Sequence, residues 1–241
     1  MCLPLRRLFI VCLLTTLARA DFATDLAHIH IEASGGRARL DALHGLIAYG
    51  VTRNESGERQ FVLRAQRPNQ VCVEVTAAGR TISQGWDGKG TPWISDSASG
   101  RVSWMRGDEA EAFKIEAEFD DPLVAGPDRK VALDYVGEVK AGNVEWLKLV
   151  VTQNFTATSF VYLDPSTYLI VRRDVVRRTQ GKEVVLRTDY SDFRAVAGVI
   201  LPHRWVIMQD GKQLSQTVID RMEPNPEIPA HVFAPVPMSN P

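Results

Sequence analysis

Cysteine is scarce: the 241 residues contain three, and two of them, Cys2 and Cys12, lie in the first twelve. If the leader described below is removed, only Cys72 remains, no disulfide can form within the domain, and its stability must come from its core. An excess of charge of one sign is also missing, since 28 Lys and Arg face 29 Asp and Glu for a formal net charge of -1. That balance argues against nucleic acid as a partner, because such proteins carry a basic patch. Long apolar runs are absent too. The run from Leu8 to Leu14 falls well short of the roughly 20 residues that cross a bilayer, so the protein is not expected to be membrane-spanning. No internal repeat, low-complexity stretch or interdomain linker appears.

The first twenty residues, MCLPLRRLFIVCLLTTLARA, run in the order of a secretory signal peptide. Arg6 and Arg7 come first, the apolar run follows, and Ala18-Arg19-Ala20 supplies a small-x-small cleavage site. Residues 1–20 are therefore expected to be removed before Asp21, leaving 21–241 as one exported domain. Cys12 does not read as a lipid-modified site, because Phe9-Ile10-Val11 are bulky where a lipobox is small. Loss of Arg6, Arg7 and Arg19 leaves 25 basic against 29 acidic side chains, near -4. A chain of about 220 residues buries enough apolar surface for a single core.

After the leader the sequence predicts a helix, with Asp21 as N-cap, Phe22, Leu26, Ile29 and Ala33 on a stripe, and Gly35-Gly36 as the stop. A short helical piece over Arg37 to Leu43 follows. From Leu46 to Met222 the period changes to two. Phe61, Leu63 and Ala65 alternate with Val62, Arg64 and Gln66, and Val71, Val73 and Val75 alternate with Cys72, Glu74 and Thr76. Turns at Ala78-Gly79, Ala141-Gly142-Asn143, Asp164-Pro165-Ser166, Gln180-Gly181 and Asp210-Gly211 separate the strands. Only Gly107 to Phe119 interrupts this rhythm, with Asp108, Glu109 and Glu111 in a first helical turn and Ala110, Phe113 and Ala117 on one stripe. Short links join antiparallel neighbours. The expected fold is thus mainly β (α+β), an incomplete antiparallel β-barrel of about 10–11 strands, with helices as a lid over an apolar cavity. Residues from Pro224 to Pro241 read as an extended closing tail with Val232, Phe233 and Val236 as contacts.

Catalytic signatures are few. His28 and His30 stand two apart on a helix and point to different faces, and His44, His203 and His231 lack ligand-spaced neighbours, so all five read as ordinary histidines and no metal or cofactor is expected. Cys72, mid-strand among valines, reads as a buried thiol. Asp120-Asp121, beside Pro122, reads as a solvated turn. There is no GxSxG, phosphate loop or dinucleotide fingerprint. Asn54-Glu55-Ser56 and Asn154-Phe155-Thr156 match the glycosylation sequon but carry little weight. An exported hydrolase would need His203, Asp189 and Asp192 to converge. An apolar inner face suits ligand binding, although the same alternation serves a filled core.

Arg67-Pro68-Asn69 before a strand, then Gln84-Gly85-Trp86-Asp87-Gly88-Lys89 and Trp93, resemble the lipoprotein-carrier family. Tyr162-Leu163-Asp164-Pro165, Tyr168-Leu169, Asp189-Tyr190-Ser191-Asp192-Phe193, Gly198 and Leu201-Pro202-His203 resemble the broader outer-membrane lipoprotein-sorting group, which shares the LolA/LolB-like fold. The resemblance spans about Ile29 to Phe233. It implies an incomplete barrel with a helical lid, a periplasmic location, no enzymatic activity, and acyl chains of lipids or lipoproteins as cargo. It further implies an inner-membrane transporter or outer-membrane acceptor as partner, and gives Arg67 a role in holding the lid shut. The alternative for Arg67 is an arginine that pins the turn before Pro68. The lid and cavity candidates are Arg67, Trp86, Trp93, Phe61, Leu63, Val73, Phe113, Leu147, Leu149 and Phe160. A second reading of the same fold is an envelope-stress sensor or assembly module that binds a membrane protein.

Overall fold

A computed structural model describes residues 22–124, 131–153, 157–179 and 182–235. The proposed leader with Cys12, the sequon at Asn154, the Gln180-Gly181 turn and Val236 lie outside the described residues. A helix over 22–33 (α1) ends where Gly35, at φ 120°, turns the chain left-handed. Gly36 N donates to Ile31 O at 2.9 Å and Gly35 N to Glu32 O at 3.1 Å, which closes the last turn. A six-residue helix, Arg37–Ala42 (α2), follows.

The buried stripe of α1 differs from the expected one. Ala23, Leu26, Ala27, His30, Ile31 and Ser34 are buried, whereas Phe22 is 42 % and Ile29 40 % exposed. Both sets have helical spacing. The small residues win because Ala23 and Ala27 let the helix axis approach the sheet closely, where Phe22 would hold it off. Phe22 instead meets Tyr135 edge to face, with ring centroids 4.7 Å apart.

Thirteen strands follow. They are β1 (Gly45–Asn54), β2 (Gly57–Gln66), β3 (Gln70–Ala77), β4 (Arg80–Trp86), β5 (Trp93–Asp96) and β6 (Arg101–Trp104), then helix α3 (Gly107–Glu116). After it come β7 (Val131–Ala141), β8 (Val144–Gln153), β9 (Ala157–Leu163), β10 (Ile170–Thr179), β11 (Lys182–Val196), β12 (Val199–Gln209) and β13 (Lys212–Pro224). The strand number exceeds the expected one because the four-residue β5 and β6 are too short to show alternation. Helix α3 stops at Glu116, before the expected Phe119.

All thirteen strands lie in one antiparallel sheet, ordered β6-β5-β4-β3-β2-β1-β13-β12-β11-β10-β9-β8-β7. Neighbours in the chain are neighbours in the sheet, as the hairpin turns dictate; both residues of Ala78-Gly79 and of Asp210-Gly211 have positive φ, the geometry that matches strand twist. The exception is β6 and β7, consecutive in the chain but at opposite edges, and the two halves are joined instead by the seam between β1 and β13. Strands β6 and β7 remain the edges, so the sheet does not close into a barrel.

Apolar side chains of alternate positions make the concave face. On β8 and β9, Leu147, Leu149, Val151, Val161 and Leu163 pack under Ala23, Leu26 and Ala27 of α1 and against Leu123. On β2–β4, Leu63, Val71, Val73 and Trp86 pack under Phe113 of α3 and Ala117. Each fully buried Leu or Val contributes about 1.5–3 kcal/mol. A 3-10 turn, Ala230–Phe233, lays Phe233 on the opposite face against Cys72 and Trp93.

At the seam, Gly50 sits at a register shift. A Cβ there would lie 2.0 Å from Val218 O. Gly50→Ala is therefore expected to destabilise the protein by about 1–3 kcal/mol or more, read from urea unfolding. An unchanged midpoint would contradict that packing.

Candidate functional site

The concave face is a trough, and the chain after α3, over residues 117–124, lies across it. Where it crosses, residues 117–124 are fastened by side chains from both halves. Arg67, in the turn between β2 and β3, donates from Nε to Leu43 O at 2.7 Å and from Nη2 to Leu40 O at 2.6 Å. Its Nη1 donates to the Asp120 carboxylate, and the guanidinium lies over the Phe119 ring at 4.8 Å. One planar fork thus binds the C-terminal carbonyls of α2 and the crossing segment together. The backbone adds Phe119 N to Pro68 O at 3.1 Å, and Arg37 of α2 donates to Val124 O at 3.1 Å.

A second fastening comes from α1. The His30 ring, 3 % exposed, places Nε2 3.1 Å from Asp121 Oδ2 and Nδ1 2.8 Å from Tyr168 O. Asp121 also accepts from the backbone N–H groups of Leu123 and Val124 at 2.8 and 3.2 Å. Burial opposes the charged His30, but the charge and hydrogen bond of Asp121, with the Tyr168 carbonyl, outweigh it and raise the pKa above 6.5. Burial likewise opposes ionised Asp121, and His30 with the two N–H groups prevails, holding its pKa below 3.8. Asp120-Asp121 is not a solvated turn, because these contacts lie far away in sequence. His30 is not an ordinary histidine either, since it stands on the buried stripe.

The structure brings Phe61, Leu63, Val73, Trp86, Phe113, Leu147 and Leu149 to the trough, with Arg67 at its rim. Trp93 and Phe160 do not join them. Trp93 pairs with Gly85, one residue out of phase with Trp86, so it faces outward, where it lines a surface hollow of about 430 Å³ with Trp104 and Phe233. Phe160 is one out of phase with Val161 and lies under Lys148 Nζ at 4.2 Å on the outer face. Composition marks both as apolar, but phase decides the face. Under α1 the trough is filled, with Leu149, Val151, Val161 and Leu163 at 0 % exposure. At and beside α3, Leu63, Val73, Val75 and Trp205 stay partly exposed.

Cys72 is buried on the outer face, and burial together with Glu74 pushes its thiol up to about 11, so it stays protonated. The residues a hydrolase would need are otherwise engaged. Asp189 accepts from Arg172 Nε at 2.5 Å, Asp192 from Arg194, and His203 Nδ1 lies 3.1 Å from Leu201 O. Among the described residues no group of three potential metal ligands forms, and no helix is long and apolar enough to cross a membrane.

An open antiparallel half-barrel with helices across its mouth is the fold of LolA-like lipoprotein-sorting proteins. In solved structures the chain is similar to an outer-membrane lipoprotein-sorting protein domain from Vibrio parahaemolyticus, at 11 % identity and TM-score 0.61, covering 89 % of this chain and 97 % of that one. It is similar to a DUF1329 family protein from Desulfovibrio piger, at 12 % identity and TM-score 0.63, with coverage of 89 % and 97 %. A LolA superfamily protein from Nitrosomonas europaea matches at 10 % identity and TM-score 0.57, covering 88 % and 97 %. No protein-family model and no curated protein matches the sequence.

The His30–Asp121 pair sets a pH window. The contribution of His30 is fully present below about pH 6.5 and is lost as pH rises through its raised folded pKa. That of Asp121 is present above about pH 3.9 and is lost as pH falls through its lowered pKa. His30→Gln is expected to flatten the decline in stability on the alkaline side. Urea midpoints of wild type and variant between about pH 5 and 9 check this, and parallel curves would refute it.

Proposed function

We propose that residues 21–241, exported and freed of the leader, work as one periplasmic carrier domain that shelters acyl chains of lipids or lipoproteins on the way to the outer membrane. Donor and acceptor would be an inner-membrane transporter and an outer-membrane site, and the role is binding rather than catalysis. The observation that carries this reading is the bonding of Arg67. Among the described residues its side chain bonds none of the groups of its own turn; its hydrogen bonds go to the C-terminal end of α2, at Leu40 and Leu43, and to Asp120 of the crossing segment. An arginine that only pinned its turn would do the reverse.

The physical argument concerns exchange. Acyl chains gain about 0.8 kcal/mol per methylene on leaving water, and the partly exposed strip Leu63, Val73, Val75 and Trp205 is a bed for the first methylenes. Further insertion must displace α1 or α3, whose contacts with the sheet are apolar and replaceable by hydrocarbon. The polar latch at Arg67 and His30 gives the closed position its definition and makes opening cooperative.

Native mass spectrometry of protein taken directly from the envelope is expected to show bound acyl lipid, and solvent extraction to release it. Arg67→Leu, which removes the guanidinium from Asp120 and from the carbonyls of Leu40 and Leu43, is expected to cost about 3 kcal/mol and to speed hydrogen exchange in α2 and 117–124 before the strands. Absence of lipid, together with unchanged exchange in the variant, would remove the reading.

A further inference from the structure

Three buried side-chain polar atoms lack a hydrogen-bonding partner in the protein among the described residues: Ser159 Oγ, Arg173 Nε and Arg177 Nε. They are not scattered. Arg173, Val175 and Arg177 are alternate residues of β10 and therefore share a face, and Ser159 of β9 stands directly opposite Val175. That face is the trough, because Ser159 pairs with Val151 and Arg173 with Val161, both at 0 % exposure beneath α1. With strand residues about 3.3 Å apart, the two arginines bracket the serine within roughly 13 Å along β10.

Unsatisfied buried donors are costly and rare in native proteins, and a cation in an apolar trough is costlier still without a counter-charge. Of the lid carboxylates, Asp120 is engaged with Arg67 and Asp121 with His30, while Glu116 of α3 meets Arg177 at Nη2 and leaves its Nε unpartnered. Among the described residues Arg173 forms no such ion pair, and its Nε has no hydrogen-bonding partner. Its charge reaches Tyr190, whose hydroxyl is raised in pKa by burial with Arg173 acting in the opposite direction. Arg177 has its own pKa lowered by burial. All three orphaned atoms can donate, and none can be satisfied by hydrocarbon.

We infer that this patch of β9 and β10 recognises the anionic head of an acyl ligand, a carboxylate or phosphate, held by Arg173, Arg177 and Ser159 with the chain lying along the trough. Two guanidinium forks suit such a group, since they bind its oxygens in pairs. The inference rests on the carrier reading and narrows it to acidic amphiphiles. It also couples binding to opening, because the incoming anion competes with Glu116 for Arg177, and Arg177–Glu116 ties α3 to β10. Release of Glu116 removes this polar tie of α3 to β10 as the ligand takes its place, leaving α3 held by its apolar contacts.

The test is calorimetric titration of the full exported chain with hexadecanoic acid, hexadecyl phosphate, hexadecanol and inorganic phosphate. The acid and the phosphate ester are expected to bind about tenfold or more tighter than the alcohol. Arg173→Gln is expected to reduce that ratio to near one without weakening hexadecanol, and Ser159→Ala, which leaves the packing in place, to reduce it partway. Should Arg173→Gln fail to fold, Arg173→Lys keeps the charge but loses the fork, and the ratio is again expected to fall. Equal binding of acid and alcohol by the wild type would overturn the anion patch and leave the carrier reading standing. Binding of none of the three amphiphiles would remove both. Inorganic phosphate bound as tightly as its hexadecyl ester would overturn the amphiphile in favour of a free anion.

Discussion

Because the sheet stays open, β6 and β7 stand at opposite edges, and between them residues 107–124 lie across the concave face. What fixes that crossing is the Arg67 guanidinium, which grips the carbonyls of Leu40 and Leu43 at the end of α2 and the Asp120 carboxylate while lying over Phe119. The position of α2 and the path of residues 117–124 follow from it. So does the shape of the trough below.

The lid is held by two kinds of force with different consequences. Its apolar contacts with the sheet, Leu26 over Leu149 and Val161 on one half and Phe113 over Val73 and Trp86 on the other, are non-directional and could be made equally well by another hydrocarbon. The polar contacts of Arg67 and His30 are directional and specify one closed arrangement. A lid built of both can exchange its apolar contacts while its polar ones decide whether it is shut. The orphaned donors of β10 extend this division, since they leave the trough with a polar requirement that the lid itself does not meet.

Much of the sheet was legible. Alternation in β2 and β3 placed Phe61, Leu63, Val71 and Val73 on one face, and hairpin turns at short spacing implied neighbouring antiparallel strands. The short β5 and β6 were not legible, because four residues hold too little alternation. On α1, two helical stripes competed, and the one with larger side chains was the wrong choice: close approach of a helix to a sheet favours alanine. That choice also hid His30. Asp120 and Asp121 looked like turn residues since their partners, Arg67 and His30, are 53 and 91 residues away. No local pattern marks Arg67, whose acceptors lie 24 to 53 residues away; the resemblance of its Arg-Pro-Asn turn does.

The sequence by itself determined the period of two, the turns, the helix segments and so an antiparallel sheet too long to lie flat, because each of these depends on residues within a few positions of one another. Only the tertiary structure decided which face each aromatic took, where the lid carboxylates found their cations, and that Ser159, Arg173 and Arg177 share one patch. Those outcomes depend on strand register and on the seam between β1 and β13, contacts across the whole chain that no local pattern encodes.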